Sequence, residues 1–426
     1  MRLFFSGVPQ RPRRYFPHRL VTTVFTALRI GTLYFGSSFL TANWLTRMPD
    51  LLAHLGVDKA TMGLALFLGP VGALVTAPIA GPLMDRFAAA RVGVWGLVLA
   101  ALMLLGIGLA GHWTVLAVVL FFAGAGNTLF EIGGNAGVQR LEATTGGKYM
   151  AQCHGYWSLG FVTGALSAGL FGQLGVPLVW HLAAMAALGV VGCAGIAWLL
   201  PRPMYERVAR PAGTAKPPLF TLPSVGLIGL CIMATGVTLA EGAVYDWGTL
   251  FLREQLQPGP FWTSVAYGTF PLTMFVGRVA GDWFRARYRA SSIVRVCATT
   301  TAIGLIGFIF SSHIVVSGLS LALMGVGVSL VMPIGVAAAG DKPGDAARNV
   351  AAMSMIITAI FLLAPPGVGF VAEHFGLTAA FLLMLPFVAA SGVFAREADP
   401  PVCDLAGQQK MIGEPAAVGA TNTSTT

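Results

Sequence analysis

The sequence predicts an all-α polytopic membrane protein, with twelve transmembrane helices in two pseudo-symmetric six-helix bundles. Three observations predict it: the composition, the spacing of the apolar runs, and an internal repeat. Of 426 residues, 56% are hydrophobic and only 10% are charged, against about 25% charged in a soluble globular protein. So few charges cannot clothe a water-facing surface, so most of the outside must face lipid.

A spanning helix needs about 20 apolar residues. Runs bounded by charges, prolines and glycine clusters place the first six spans at 21–45, 60–84, 92–111, 113–138, 151–172 and 177–200. The first follows a basic segment, MRLFFSGVPQRPRRYFPHRL, which has no compact apolar core or small-residue cleavage site. Residues 1–20 are therefore expected to be a retained cytoplasmic tail. The second span stops before Asp85-Arg86, and Gly111-His112 divides the third from the fourth. PRPMYERVARPAGTAKPPLFTL (201–222) is rich in proline and charge and reads as a cytoplasmic linker between the N-terminal bundle (21–200) and the C-terminal one (223–396). The second set of spans is 223–247, 262–284, 292–311, 313–338, 349–372 and 376–395. Residues 397–426 read as a disordered cytoplasmic tail.

The two halves repeat one another. GPLMDRF (81–87) follows the second span and GRVAGDWF (277–284) closes the eighth, with Asp85 and Asp282 separated by 197 positions. GLFGQLG (169–175) is echoed by GFVAEHFG (369–376), with Gly175 and Gly376 separated by 201. Near-equal offsets at two places are what a duplicated unit gives, and transporters with such repeats bind substrate between the halves near the bilayer midplane.

Of the 26 lysines and arginines, Arg47, Lys59 and Arg253 fall on one side of this arrangement, and Arg29, Arg278 and Arg295 lie inside spans. All the others fall on the side of the termini, which places both termini in the cytoplasm. The net charge of +9 is thereby a topology signal and requires no nucleic acid. Cys153, Cys193, Cys231, Cys297 and Cys403 show no disulfide or metal-site spacing.

Gly81-Pro82-Leu83-Met84-Asp85-Arg86 resembles the loop signature of the major facilitator superfamily. Ala88 stands where that signature has its second glycine, Ala89 and Ala90 replace its basic pair, and Arg91 restores one charge. RMPDLLAHLGV (47–57), HGYWSLG (154–160), EGAVYDWGTLFLR (241–253) and APPGVGFVAEHFGL (364–377) resemble the fucose-permease-like branch, which includes bacterial inner-membrane members of unsettled substrate. The resemblance implies alternating access, in which two bundles rock about a central cavity.

Ionisable residues inside spans cost about 2.5–3.5 kcal/mol at the bilayer centre on insertion scales, so each needs a reason. Asn127, Glu131 and Asn135 share one face of the fourth span at i, i+4, i+8. Glu131 is either a proton-titrating carboxylate, a permanently neutral acid, or an acid paired with an arginine such as Arg29. The resemblance favours the first, because FEIGGN is similar to the permease motif whose glutamate is implicated in proton coupling. That permease also uses an acid late in its first helix, where this chain has Asn43. Arg29 either snorkels to the interface or lines the cavity. His154, Trp157 and Ser158 share a face of the fifth span, and the resemblance places His154 near a sugar-contacting position. Glu241 and Tyr245 share a face of the seventh and suit sugars or cations, or else Glu241 and Asp246 form an outer gate with Arg47 or Arg253. Gly81, Asp85, Arg86 and Arg91, with Gly281, Asp282, Arg285, Arg287 and Arg289, read as conformational latches in which a carboxylate meets a helix N-terminus.

No P-loop, G-x-S-x-G elbow or H-E-x-x-H is present, so the chain is expected to be no enzyme, to hold no metal or cofactor, and to draw on an ion gradient, H+ foremost. The expected function is secondary transport of a small solute by a monomer in a bacterial plasma membrane, by proton symport of a sugar or sugar-like molecule. Proton-driven multidrug or metabolite efflux is the alternative. Gly318-Leu319-Ser320 and Gly327-Val328-Ser329 only weakly suggest an intramembrane protease, and no receiver module marks a membrane sensor.

Overall fold

The computed structural model describes residues 17–207 and 223–400; the start of the basic tail, most of the linker, Cys403 and the tail beyond residue 400 lie outside the described residues. The first half contains α1 (Pro17–Leu45), a short α2 (Met48–Leu55), α3 (Lys59–Phe87), α4 (Ala89–Leu109), α5 (Trp113–Thr145), α6 (Met150–Gln173) and α7 (Leu178–Leu199). The second contains α8 (Val225–Leu256), α9 (Pro260–Arg285), α10 (Ala290–Phe310), α11 (Ile314–Val328), α12 (Val331–Asp341), α13 (Ala346–Leu382) and α14 (Met384–Val393). Helix α13 is bent at Gly376, whose φ of 84° no continuous helix allows. Its second arm joins α14 as the twelfth crossing, and α11 with α12 makes the tenth. The six-plus-six arrangement of crossings follows, with α2 an addition the apolar runs did not signal.

Among the described residues, eight stretches are long and apolar enough to span a membrane by composition alone, the last of them holding two crossings. Helices α1, α6 and α9 carry more polar residues and fall short of that measure, and α6 and α9 pack against each other across the interface of the halves. The tenth crossing breaks at Ser329-Leu330, where the Ser329 hydroxyl donates back to Val326 O at 2.7 Å. Pro333 then falls in the first turn of α12, where a missing N–H costs nothing. Within the first bundle, glycines let helices touch: Gly126 packs on Gly96 and Gly124 on the Gly69 backbone.

The duplication recurs in local devices. His112 Nδ1 caps α5 by accepting from Thr114 N at 3.3 Å, and His313 Nδ1 caps α11 by accepting from Val315 N at 3.2 Å. Gly175 and Gly376 both take positive φ, 70° and 84°, at the corner before the last crossing of each half. Arg140 pairs with Glu206 at 2.7 Å and Lys342 with Glu397 at 2.7 Å, each tying the fourth crossing of a half to the segment after its sixth.

The halves meet mainly along α6 with α9 and α3 with α13. The second contact lies at one end, where Gly63 abuts Pro365-Pro366 and Gly369 abuts Lys59. Three polar contacts cross at the same end: Lys59 Nζ to Glu254 at 3.0 Å, Arg253 to Asp50 at 3.7 Å, and Lys59 N to Glu373 at 2.9 Å. Helices α5 and α12 make no substantial contact at the opposite end. The cavity between the bundles is closed at the Lys59 end and splayed at the other.

Candidate functional site: a polar string across the bundle interface

The site begins on α5. Asn127 and Asn135 are each held by α1: Ser37 Oγ donates to Asn127 Oδ1 at 3.2 Å, and the Tyr34 hydroxyl donates to Asn135 Oδ1 at 2.7 Å. Glu131 sits between them, its carboxylate within hydrogen-bonding reach of Asn127. It is exposed, although Phe130 beside it is buried. Its two flanking asparagines face α1, so this exposure opens into the space between helices and not toward lipid. The same-face spacing at i, i+4, i+8 thus serves two ends. The outer positions fasten α5 to α1, and the middle one stays exposed beside Asn127.

Tyr34 continues the string. Its ring stands edge-on to Phe130 at 5.3 Å and to His154 at 6.2 Å, and Glu131 lies within its electrostatic reach. His154, exposed near the start of α6, interacts electrostatically with Arg278 of α9. Arg278 in turn interacts with Glu241 and Tyr245 of α8. The order Glu131, Tyr34, His154, Arg278, Glu241 crosses from one bundle to the other. Beside it Trp157, Phe161, Tyr245 and Phe270 form an aromatic wall with centroid separations of 5.1–6.3 Å. Tyr267 anchors that wall by donating to Tyr245 O at 2.8 Å. The Tyr245 hydroxyl itself is buried without a partner.

Several expectations from sequence are corrected. Arg29 is exposed and its Nε donates to Leu199 O at 2.6 Å; it caps the end of α7 and is no partner of Glu131. Asn43 is fully buried and lines no cavity. Its Oδ1 accepts from Ser167 Oγ and lies 2.9 Å from His181 Nε2. Ser158, 1% exposed, is also withdrawn from the cavity. The gate expected between Arg47 or Arg253 and Glu241 or Asp246 is built instead on Asp50, which pairs with both arginines. Helix α2, which carries Asp50, was the missing element.

The latch residues lie at the splayed end. Arg86 rests over the Phe87 ring at 5.0 Å and Arg287 over Trp283 at 4.2 Å. Asp85, Asp282, Arg285 and Arg91 are exposed, Gly81 is partly covered, and Gly281 packs against Leu330. Asp282 meets no helix N-terminus; the first turn of α10 is capped by Asp399, which accepts from Ser291 N at 2.9 Å. Ala88, at the second-glycine position, has φ 71° and ψ 154°, a region that belongs almost wholly to glycine.

Sequence reasoning missed Tyr34 and Arg278. Arg278 carried a signal: of the three arginines placed inside spans, Arg29 and Arg295 are exposed and only Arg278 faces the cavity groups. Tyr34 carried none, since a tyrosine in an apolar span looks like any other core aromatic. Among the described residues no cluster suits a metal ion, and Cys153, Cys193, Cys231 and Cys297 are free thiols.

Comparison with known proteins agrees with this architecture. The family model described as Major Facilitator Superfamily matches residues 30–357. An uncharacterized transporter of Sinorhizobium fredii is 26% identical over 380 residues, covering 88% of this chain and 98% of its own. An uncharacterized MFS-type transporter of Yersinia pestis is 27% identical over 363 residues, covering 82% and 90%. Among solved structures, a mutant of the nucleoside transporter NupG superposes with a TM-score of 0.70 at 15% identity, over 88% of this chain and 98% of that one. An inward-facing, occupied bacterial homolog of the human lysosomal transporter Spinster gives 0.67 at 14% identity, over 90% and 97%. At such identities the structural likeness shows the fold alone.

Proposed function

Because the chain belongs to the Major Facilitator Superfamily, we propose that this membrane transporter carries a small, sugar-like solute by alternating access, coupled to protons through Glu131. The observation that carries the proposal is Glu131 itself. It is a water-accessible carboxylate inside the membrane-spanning region, seated between two asparagines whose acceptor oxygens are already engaged by α1. A merely structural acid would be buried and bonded on both oxygens, because an unmet buried polar group costs about 1–3 kcal/mol. One facing water in a splayed cavity can take up or release a proton there, and lose that access when the cavity closes around it.

The surrounding groups fit a polyhydroxylated solute. Trp157 and Tyr245 offer ring faces, Glu241 offers acceptors, and the amide groups of Asn127 and Asn135, whose oxygens are engaged by α1, keep their N–H donors. With lysine and arginine concentrated on the side of the termini, that side is cytoplasmic and the closed Lys59 end faces outward. The conformation is then inward-facing, in a bacterial plasma membrane.

The test is transport in proteoliposomes under an imposed proton gradient. Glu131→Gln removes the titrating group at nearly constant shape, so accumulation against a gradient should vanish while solute exchange persists. A Glu131→Gln protein that still accumulates solute overturns the coupling role.

A further inference from the structure

Arg278 is the intramembrane arginine that faces the cavity groups, and it stands near Glu241 without touching it in an ion pair. Its position follows from the packing of α9. Phe275, three residues earlier on the same face, lies against Gly155 of α6, where an added Cβ would stand 2.6 Å from the ring. Gly277 and Gly281, on the flank beside it, pack against Ser329 and Leu330. The guanidinium is thereby aimed between α6 and α8, within electrostatic reach of His154, Glu241 and Tyr245. Among the described residues it forms no ion pair; the arginines at the closed end are paired with Asp50, and Arg140 with Glu206.

A guanidinium cannot shed its proton, so it must keep its charge in a region where charge is costly. Carboxyl groups in the same cavity can be neutralised by a proton. The cavity therefore has a standing demand for one anion and only an adjustable demand for cations. The buried Tyr245 hydroxyl, without a partner and next to the same guanidinium, is a second unmet group.

We propose that the transported solute is a sugar acid, whose carboxylate is taken bidentately by Arg278 while its hydroxylated carbons lie along Trp157 and Tyr245. The planar fork of an arginine matches a carboxylate in two parallel hydrogen bonds, and the Tyr245 hydroxyl supplies a donor or acceptor to the ring substituents. A lipophilic cation in the same place would leave the guanidinium unpaired. This assignment rests on the transporter reading but concerns only what fills the site.

The experiment uses the full chain in detergent, with D-galacturonate and D-galactose as matched probes and tryptophan fluorescence or thermal shift as the readout. Galacturonate should bind about 10- to 100-fold more tightly than galactose, the span expected for hydrogen bonds to a charged group. Arg278→Gln should erase that preference, and Arg278→Lys, which keeps the charge without the fork, should fall between. Equal affinities, a preference unchanged in Arg278→Gln, binding of a lipophilic cation in place of either sugar, or no binding of galacturonate each overturn the proposal. Proton-driven galactose transport without a galacturonate preference would thus remove the sugar acid and leave the transporter reading standing.

Discussion

Gly63 offers a way to move the bundles apart without unfolding either. It lies on α3 and faces α13 across the interface of the halves, so nothing in its own bundle depends on it. A Cβ added there would stand 2.7 Å from Pro365 O and 3.0 Å from Pro366 Cα. Both are backbone atoms of a stiff Pro-Pro step, so neither can swing aside as a side chain would. Ordinary van der Waals contact with the oxygen requires the gap to open by about 0.5–1 Å, and overpacking of this kind costs about 1–3 kcal/mol. Because the clash exists only when this end is closed, the whole cost falls on the closed-end state. The ratio of closed to open forms should then fall about 5- to 150-fold, at 1.4 kcal/mol for each factor of ten. Nitroxides at Ala53 and Gln255, both exposed beside the closing ion pairs, would report the distance across that end after Cys403 is replaced; the other four cysteines are buried. Gly63→Ala should add a longer-distance population at unchanged Tm. Gly72→Ala is the control, because Gly72 abuts the Phe121 backbone inside the first bundle and should lower Tm with no change in the distance. If Gly63→Ala lowers Tm like the control and leaves the distances alone, the contact is a fold contact and the closed-end argument fails.

The repeat was legible because it is written in residues whose physical role is local. Gly175 and Gly376 are recognisable in sequence since a positive φ admits glycine most easily, and both occupy such a corner. The twelve crossings were legible for a similar reason, since each needs its own apolar length. The site was only half legible. The Asn127–Glu131–Asn135 face follows from helical spacing, but which member is spent on α1 and which faces water depends on Ser37 and Tyr34, about 90–100 residues away. Asn43 misled because a polar residue in a span looks alike whether it meets substrate or, as here, a buried histidine. The closed end shows what long-range pairing adds. Arg47, Lys59 and Arg253 are the only lysines and arginines assigned to the outer side, and each has a carboxylate partner there. Their partners could not be chosen from sequence, because Asp50, Glu254, Glu241 and Asp246 were all near the same boundary.

Substitutions at two positions separate strain and network from transport. At Ala88, relief of about 1–3 kcal/mol of backbone strain opposes about 0.8 kcal/mol for a lost buried methylene and up to about 1 kcal/mol for a freer unfolded chain. Ala88→Gly should therefore lie between about 1 kcal/mol less and about 2 kcal/mol more stable than the native protein, whereas Ala88→Val, β-branched at φ 71° and 1% exposed, should lower Tm by several degrees; equal Tm values would show that the backbone there is unstrained. Asn43→Ala strands His181 Nε2 at about 1–3 kcal/mol for a buried group left unmet, while the Ser167 hydroxyl keeps Gly164 O at 2.9 Å. It also frees His181, which leans on Arg47 at 3.5 Å and through it on Asp50, so a fall in Tm should come with a looser closed end in the nitroxide distances. Unchanged Tm with lost solute binding would instead return Asn43 to the cavity.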